Sequence, residues 1–169
     1  MRNFAPAGEY STIDSAILVG GALFAGNYFG GAVKTAAEEL FNIPNWGVTV
    51  ESSTGWGIYM VSSNGGAMSQ PNSMYSEYVI LAALAKRQEN TAVTTKVHDW
   101  WTRYIGDNGP STTNTPVENP YNGHNTLSYC TGGTHCWMPS FLIQFPWYMI
   151  KEQQTNPYYV ETFQSWLMG

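Results

Sequence analysis

Nineteen consecutive residues, Ser15–Val33, carry no charged side chain. A stretch of that length either crosses a bilayer or is buried in protein. Five of the nineteen are Gly and one is Asn27, which makes it far less apolar than a typical membrane span. Ile13, Ala16, Ile17, Gly20, Leu23, Phe24 and Tyr28 recur at i, i+3, i+4 spacing and mark one face of a helix. The expectation is therefore a helix buried in an all-α core and no membrane span. Glu9 and Asp14 precede the apolar run, so it does not read as a signal peptide. If the protein is exported, its signal is expected upstream.

The rest of the chain reads as helices separated by polar loops. The first helix starts at Ser11-Thr12, both good N-caps, and runs to Phe29, where Gly30-Gly31 stop it. A second covers Ala32–Phe41, with Glu38-Glu39 on its wet side and Pro44 beyond its end. Residues 46–50 and 56–61 have β character and predict a short hairpin or extended loop. The third helix is expected from Asn72-Ser73 to Gln88, apolar nearly all round and hence buried on most sides. A fourth is expected over Thr94–Ile105, a fifth over Pro139–Gln153 with Pro146 kinking or splitting it, and a sixth over Tyr158–Leu167. Between the fourth and fifth, residues 108–135 show no period and form a long polar loop. Helix–loop–helix order throughout implies stacked αα-hairpins rather than a parallel sheet.

Charge narrows the function. Charged residues are 11 % of the chain, against a usual ~25 %. Such an under-charged surface, rich in Gly, Asn, Ser and Thr, suits a secreted or periplasmic protein. Seven Lys and Arg oppose twelve Asp and Glu, and the basic residues are scattered. No patch exists to neutralise a phosphate backbone, so no nucleic-acid partner is expected.

The carboxylates sort by context. Glu38, Glu39, Glu51, Glu89, Glu152 and Glu161 sit among polar neighbours and read as solvated charges. Asp14 and Glu77 each open an otherwise apolar helix. In one reading they are first-turn acids that complement the helix dipole. In the other, they face one cleft as the acid and base of a glycosidase. That chemistry needs an acid with a raised pKa. A helix N-terminus favours the ionised form, so the donor must be buried to counter it. Asp107 and Glu118 stand next in line as a second carboxylate.

His124, Cys130, His135 and Cys136 fall in the long loop. They leave three readings open: a Cys130–Cys136 disulfide, two free thiols, or zinc at a spacing that fits no common knuckle. No metal site is assigned. Aromatics are abundant, with seven Trp, eleven Tyr and seven Phe. Phe24, Trp100, Phe141, Phe145 and Trp166 are expected in the core. Trp46, Trp56, Tyr121 and Trp137 lie in loops, where aromatic faces either anchor the loop or stack on sugar rings.

These blocks resemble a family. Residues 9–16 (Glu-Tyr-Ser-Thr-Ile-Asp-Ser-Ala) and 21–29 (Gly-Ala-Leu-Phe-Ala-Gly-Asn-Tyr-Phe) are similar to the signature helix of bacterial glucoamylase-like proteins, relatives of β-1,2-glucan-hydrolysing enzymes. Leu40 to Trp46, Gly55-Trp56-Gly57, Met74 to Leu81, Gln144-Phe145-Pro146 and Tyr158 to Thr162 resemble further blocks of that family, in its order. The likeness implies an α/α toroid of helical hairpins, a single glycoside hydrolase-like domain over residues 1–169, partial relative to the family. It implies hydrolysis of β-glucan or its oligosaccharides, with inversion and without a cofactor. Glu77 would be the general acid, and Asp14 the base or a carboxylate that positions water. Trp46, Trp56, Tyr75, Gln144 and Trp137 would contact substrate. The chain departs from the pattern at Lys151, where the family tends to carry an acid, and at Ile143, where it carries His. The alternative is a non-catalytic glycan-binding or assembly module on the same scaffold. A partial toroid would expose apolar helix faces, so self-association is also expected.

Overall fold

A computed structural model describes residues 10–51, 57–63, 68–72, 77–88, 97, 101, 117–121, 124–128 and 140–168. These residues are mostly helical. The described helices are α1 (Thr12–Phe29), α2 (Gly31–Asn42), α3 (Val79–Gln88), α4 (Phe141–Met149), α5 (Lys151–Thr155) and α6 (Pro157–Met168). The expected fourth helix falls outside the described residues except for Val97 and Trp101, both buried.

Two antiparallel sheets accompany the helices, more strand than the sequence reading anticipated. In the first, β3 (Gly57–Ser62) is central. Along one edge it pairs β1 (Tyr10–Ser11) near its end and β2 (Val50–Glu51) near its start, and along the other it pairs β4 (Met68–Asn72). Two expectations are corrected here. Residues 46–49 form a 3-10 turn rather than a strand, with the Val48 N–H donating to the Asn45 carbonyl. The chain around residue 72, expected to open a helix, instead closes β4. In the second sheet, β5 (Val117–Tyr121) and β6 (His124–Ser128) form a hairpin inside the stretch expected to be irregular.

Helix α1 is tied down at both ends. At its start the Ser11 hydroxyl accepts from the Asp14 N–H at 3.2 Å, a side-chain N-cap. The Thr12 hydroxyl donates to the Tyr59 and Met60 carbonyls of β3, fixing the helix end on the sheet. At its far end Gly30 has φ 68° and ψ −162°, a combination essentially confined to glycine. That residue closes α1 and opens α2, so the two helices form one αα-hairpin. Gly26 lets them approach: a Cβ there would lie 3.0 Å from the Ala37 Cβ and 3.1 Å from the Lys34 Cα. Gly30→Ala should therefore lower stability by ~1–3 kcal/mol through backbone strain. Gly21→Ala, at a helical position open to solvent, should raise it by ~1 kcal/mol. Urea unfolding of the two variants checks the opposite signs.

The core lies between α1, α3 and the sheet, with Ala16, Ile58, Val79 and Leu81 sealed from solvent. Helix α3 is buried over most of its surface, as its all-round apolar sequence requires. Its last turn reaches outward: Arg87 pairs with Glu38 at 2.6 Å, and Lys86 with Glu152 at 3.6 Å. Helix α4 runs through Pro146 without splitting there. The break comes at Ile150, where extended backbone (φ −123°, ψ 111°) turns the side chain into the core. Stacking of Trp147 on Phe163, with centroids 4.2 Å apart, holds α4 to α6.

Three aromatics depart from their expected places. Phe24 is 54 % exposed, Tyr28 is 84 % exposed, and Phe141 is also exposed. The apolar residues of α1 cover more than one face. Ala16, Val19 and Leu23 pack inward, while Leu18, Phe24, Tyr28 and Phe29 point out. Among the described residues, no helix is long and apolar enough to cross a membrane.

Candidate functional site

Asp14 and Glu77 reach their positions by different local routes. Asp14 occupies the first turn of α1, its N–H held by the Ser11 cap and its side chain exposed. Glu77 sits in the turn leading into α3, where its carbonyl accepts from the Ile80 N–H at 3.0 Å. Both acids thus stand at helix N-termini, and α1 packs against α3.

The two environments differ. Glu77 is half-buried, and its Oε2 is sealed from solvent without a hydrogen-bond partner among the described residues. Burial pushes the Glu77 carboxyl above its ordinary range. A hydrogen bond from its own backbone N–H pulls the other way, and the charge on Asp14 adds a further upward push. The two carboxylates are therefore within electrostatic reach of one another. Chemically this is one carboxyl biased toward the protonated form beside one in contact with water. Such a pair can deliver a proton on one side of a bond and receive one on the other.

Of the remaining residues assigned from sequence, Trp46 is corrected. It is 2 % exposed, its indole N–H donates to the Phe41 carbonyl at 2.9 Å, and its ring belongs to the core. A ring so enclosed offers no face to a sugar. Its place follows from the 3-10 turn, which Gln88 locks by accepting from the Trp46 N–H and donating to the Pro44 carbonyl. Gln144 is half-buried on α4. Trp56, Tyr75, Trp137, Cys130, Cys136 and Asp107 lie outside the described residues. Among the described residues no cluster of His, Cys, Asp and Glu could hold a metal ion.

Two cavities flank α1. One, of about 290 Å³, lies between α1, α3 and the α4–α5 junction, lined by Leu23, Phe24, Ile80, Arg87 and Met149 among others. The second, also about 290 Å³, opens where β1 enters α1 and faces the 3-10 turn. Neither is lined by Asp14 or Glu77. Of the residues lining the second cavity, sequence reasoning singled out Trp46, which, 2 % exposed, belongs to its wall; it missed Tyr10, Asn45 and Ser62, which carry no recognisable motif. Comparison of the chain with protein-family models, curated proteins and solved structures gave no match.

Proposed function

We propose that this chain is a glycoside hydrolase-like domain that cleaves β-glucan with inversion, built on part of an α/α toroid and working in a secreted or periplasmic setting. The observation that carries this reading is the asymmetric carboxylate pair at adjoining helix ends. Glu77, raised by burial, gives its proton to the glycosidic oxygen as the C–O bond breaks. Asp14 takes a proton from the water that attacks the anomeric carbon from the opposite face. The glycan leaves as two shorter sugars, Asp14 releases the proton it took to solvent, and Glu77 takes one up, which returns both groups to their starting states. Neither step asks for a metal or organic cofactor. Burial of Glu77 also answers the requirement that a donor at a helix N-terminus be desolvated enough to hold its proton.

The direct test is to incubate the chain with β-glucans of different linkage and follow the new reducing ends by proton NMR. Inversion predicts that the α-anomer appears first and then mutarotates. Initial release of the β-anomer would make the mechanism a retaining one and overturn the assignment of Asp14 as base.

One observation favours the second reading, a non-catalytic glycan-binding or assembly module: neither carboxylate lines either of the two cavities flanking α1. A wild-type chain that binds glucan and never cleaves it would select that reading. Self-association belongs to both. Leu18, Tyr28 and Phe29 leave apolar surface on α1 uncovered. Sedimentation velocity should show a concentration-dependent rise in mass that Tyr28→Ser with Phe29→Ser removes.

A further inference from the structure

We propose that the cavity beside β1 is a subsite for one neutral sugar ring of the glycan, adjoining Asp14. The choice of a glucosyl ring rests on the hydrolase reading; the chemistry of the cavity points to a neutral polyol by itself. Among the described residues no acidic or basic side chain lines it, so they offer an ionic ligand no counter-charge. What lines it is a mixture of hydroxyls, one amide and apolar surface, the composition that a sugar ring with polar edges and C–H faces requires. Its volume, about 290 Å³, lies just below the ~300–1,000 Å³ typical of ligand pockets. One ring fits that space, and a longer chain must continue out of it.

The polar groups divide into those already used and those available. The Thr12 and Thr49 hydroxyls donate to the Tyr59, Met60 and Trp46 carbonyls and only shape the wall. The Ser11 hydroxyl accepts from the Asp14 N–H and keeps its own proton to give. The Ser15 hydroxyl donates to the Ser11 carbonyl at 3.0 Å and keeps its lone pairs to accept. Asn45 is exposed and can both donate and accept. Tyr10, 48 % exposed, stands opposite Ser62 in the β1–β3 register and supplies an aromatic face at the rim. Ser11 and Ser15, which line the cavity, flank Asp14 on the first turns of α1, so the cavity adjoins the turn that carries this carboxylate although Asp14 does not line it.

The experiment uses Glu77→Gln protein, so that bound sugar is not consumed, titrated with glucose and with cellobiose, laminaribiose and sophorose by calorimetry and saturation-transfer NMR. Tyr10→Ala and Asn45→Ala, each in that background, should weaken binding by about three- to tenfold, the loss of one ring contact or one hydrogen bond. Phe24→Ala, at the other cavity, should leave it unchanged. Circular dichroism confirms folding; because Tyr10 lies in a strand, Asn45→Ala decides alone if the first variant unfolds. Unchanged affinity in the folded variants overturns the subsite, even if wild type cleaves glucan and the hydrolase reading stands. Failure of every probe to bind also overturns it. Binding that Asn45→Ala weakens, in a chain that never cleaves, upholds the subsite and removes the hydrolase reading.

Discussion

Glu77→Gln should abolish hydrolysis of β-glucan while leaving the protein folded and still able to bind sugar. The amide keeps the shape of the carboxyl and carries no transferable proton, so loss of the general acid alone removes a factor of ~10²–10⁴. Stability should move the other way. Burial raises the Glu77 carboxyl above its ordinary value of 4.5, so the folded state binds its proton more tightly than the unfolded state. The wild-type chain therefore keeps its full stability from this group below that ordinary value. It loses that contribution as pH rises through the folded value, where a charge must be held with Oε2 sealed from water. Glutamine carries no such charge. Near pH 8 the variant should unfold at a urea concentration equal to or above that of wild type, while near pH 4 the two should lie closer together. A catalytic acid gives this combination of lost rate and gained stability, because a strained ionisable group serves chemistry at the expense of the fold. Asp14→Asn provides the partner result. Removing that charge takes away one of the upward pushes on Glu77, so the pH profile of Glu77-dependent stability should shift downward. Retained hydrolysis in Glu77→Gln would remove Glu77 from the mechanism.

The helices were legible where a single residue type forces the outcome. Ser11 caps α1, Gly30 ends it, and the apolar run of α3 can only be buried; each follows from local chemistry. The positions of Asp14 and Glu77 at the starts of α1 and α3 were legible for the same reason, since an acid opening an apolar helix is conspicuous. The strands were harder to read. β1 and β2 contribute two residues each, too few to show any period, and they exist only because β3 offers an edge. The β5–β6 hairpin did carry a signal: Asn122-Gly123, a favoured two-residue hairpin connection, lies between Tyr121 and His124, which pair across it. The Asn, Thr and Pro content around it masked the alternation. Phe24 and Tyr28 were misplaced because α1 is apolar around most of its circumference, so spacing alone does not say which face turns inward. That choice is made by Gly26 against α2 and by Thr12 against β3, contacts distant in sequence.

Trp46→Ala should destabilise the protein by ~3–5 kcal/mol, the usual cost of deleting a large buried aromatic. This result separates its actual role from the substrate contact expected of a loop tryptophan. A sugar-stacking tryptophan is exposed at rest, and its removal weakens binding with little effect on folding. Trp46 is enclosed instead. Its indole N–H is bonded to Phe41 at the end of α2, its backbone N–H to Gln88 at the end of α3, and its carbonyl to the Thr49 hydroxyl. One residue, by its ring and its backbone, thus joins two helices and the 3-10 turn that leads into β2. Trp46→Phe resolves the parts: it keeps most of the ring volume and leaves the Phe41 carbonyl without its buried donor, costing ~1–3 kcal/mol. Gln88→Ala removes the other anchor without touching the ring. The bond to Gln88 comes from the Trp46 backbone N–H, which Trp46→Phe keeps, so Gln88→Ala should cost about the same with either ring at position 46. Urea unfolding of the single variants and the double variant checks this additivity. If Trp46→Ala leaves the unfolding midpoint unchanged and lowers only sugar affinity, its placement in the core is wrong and the cleft regains its aromatic wall.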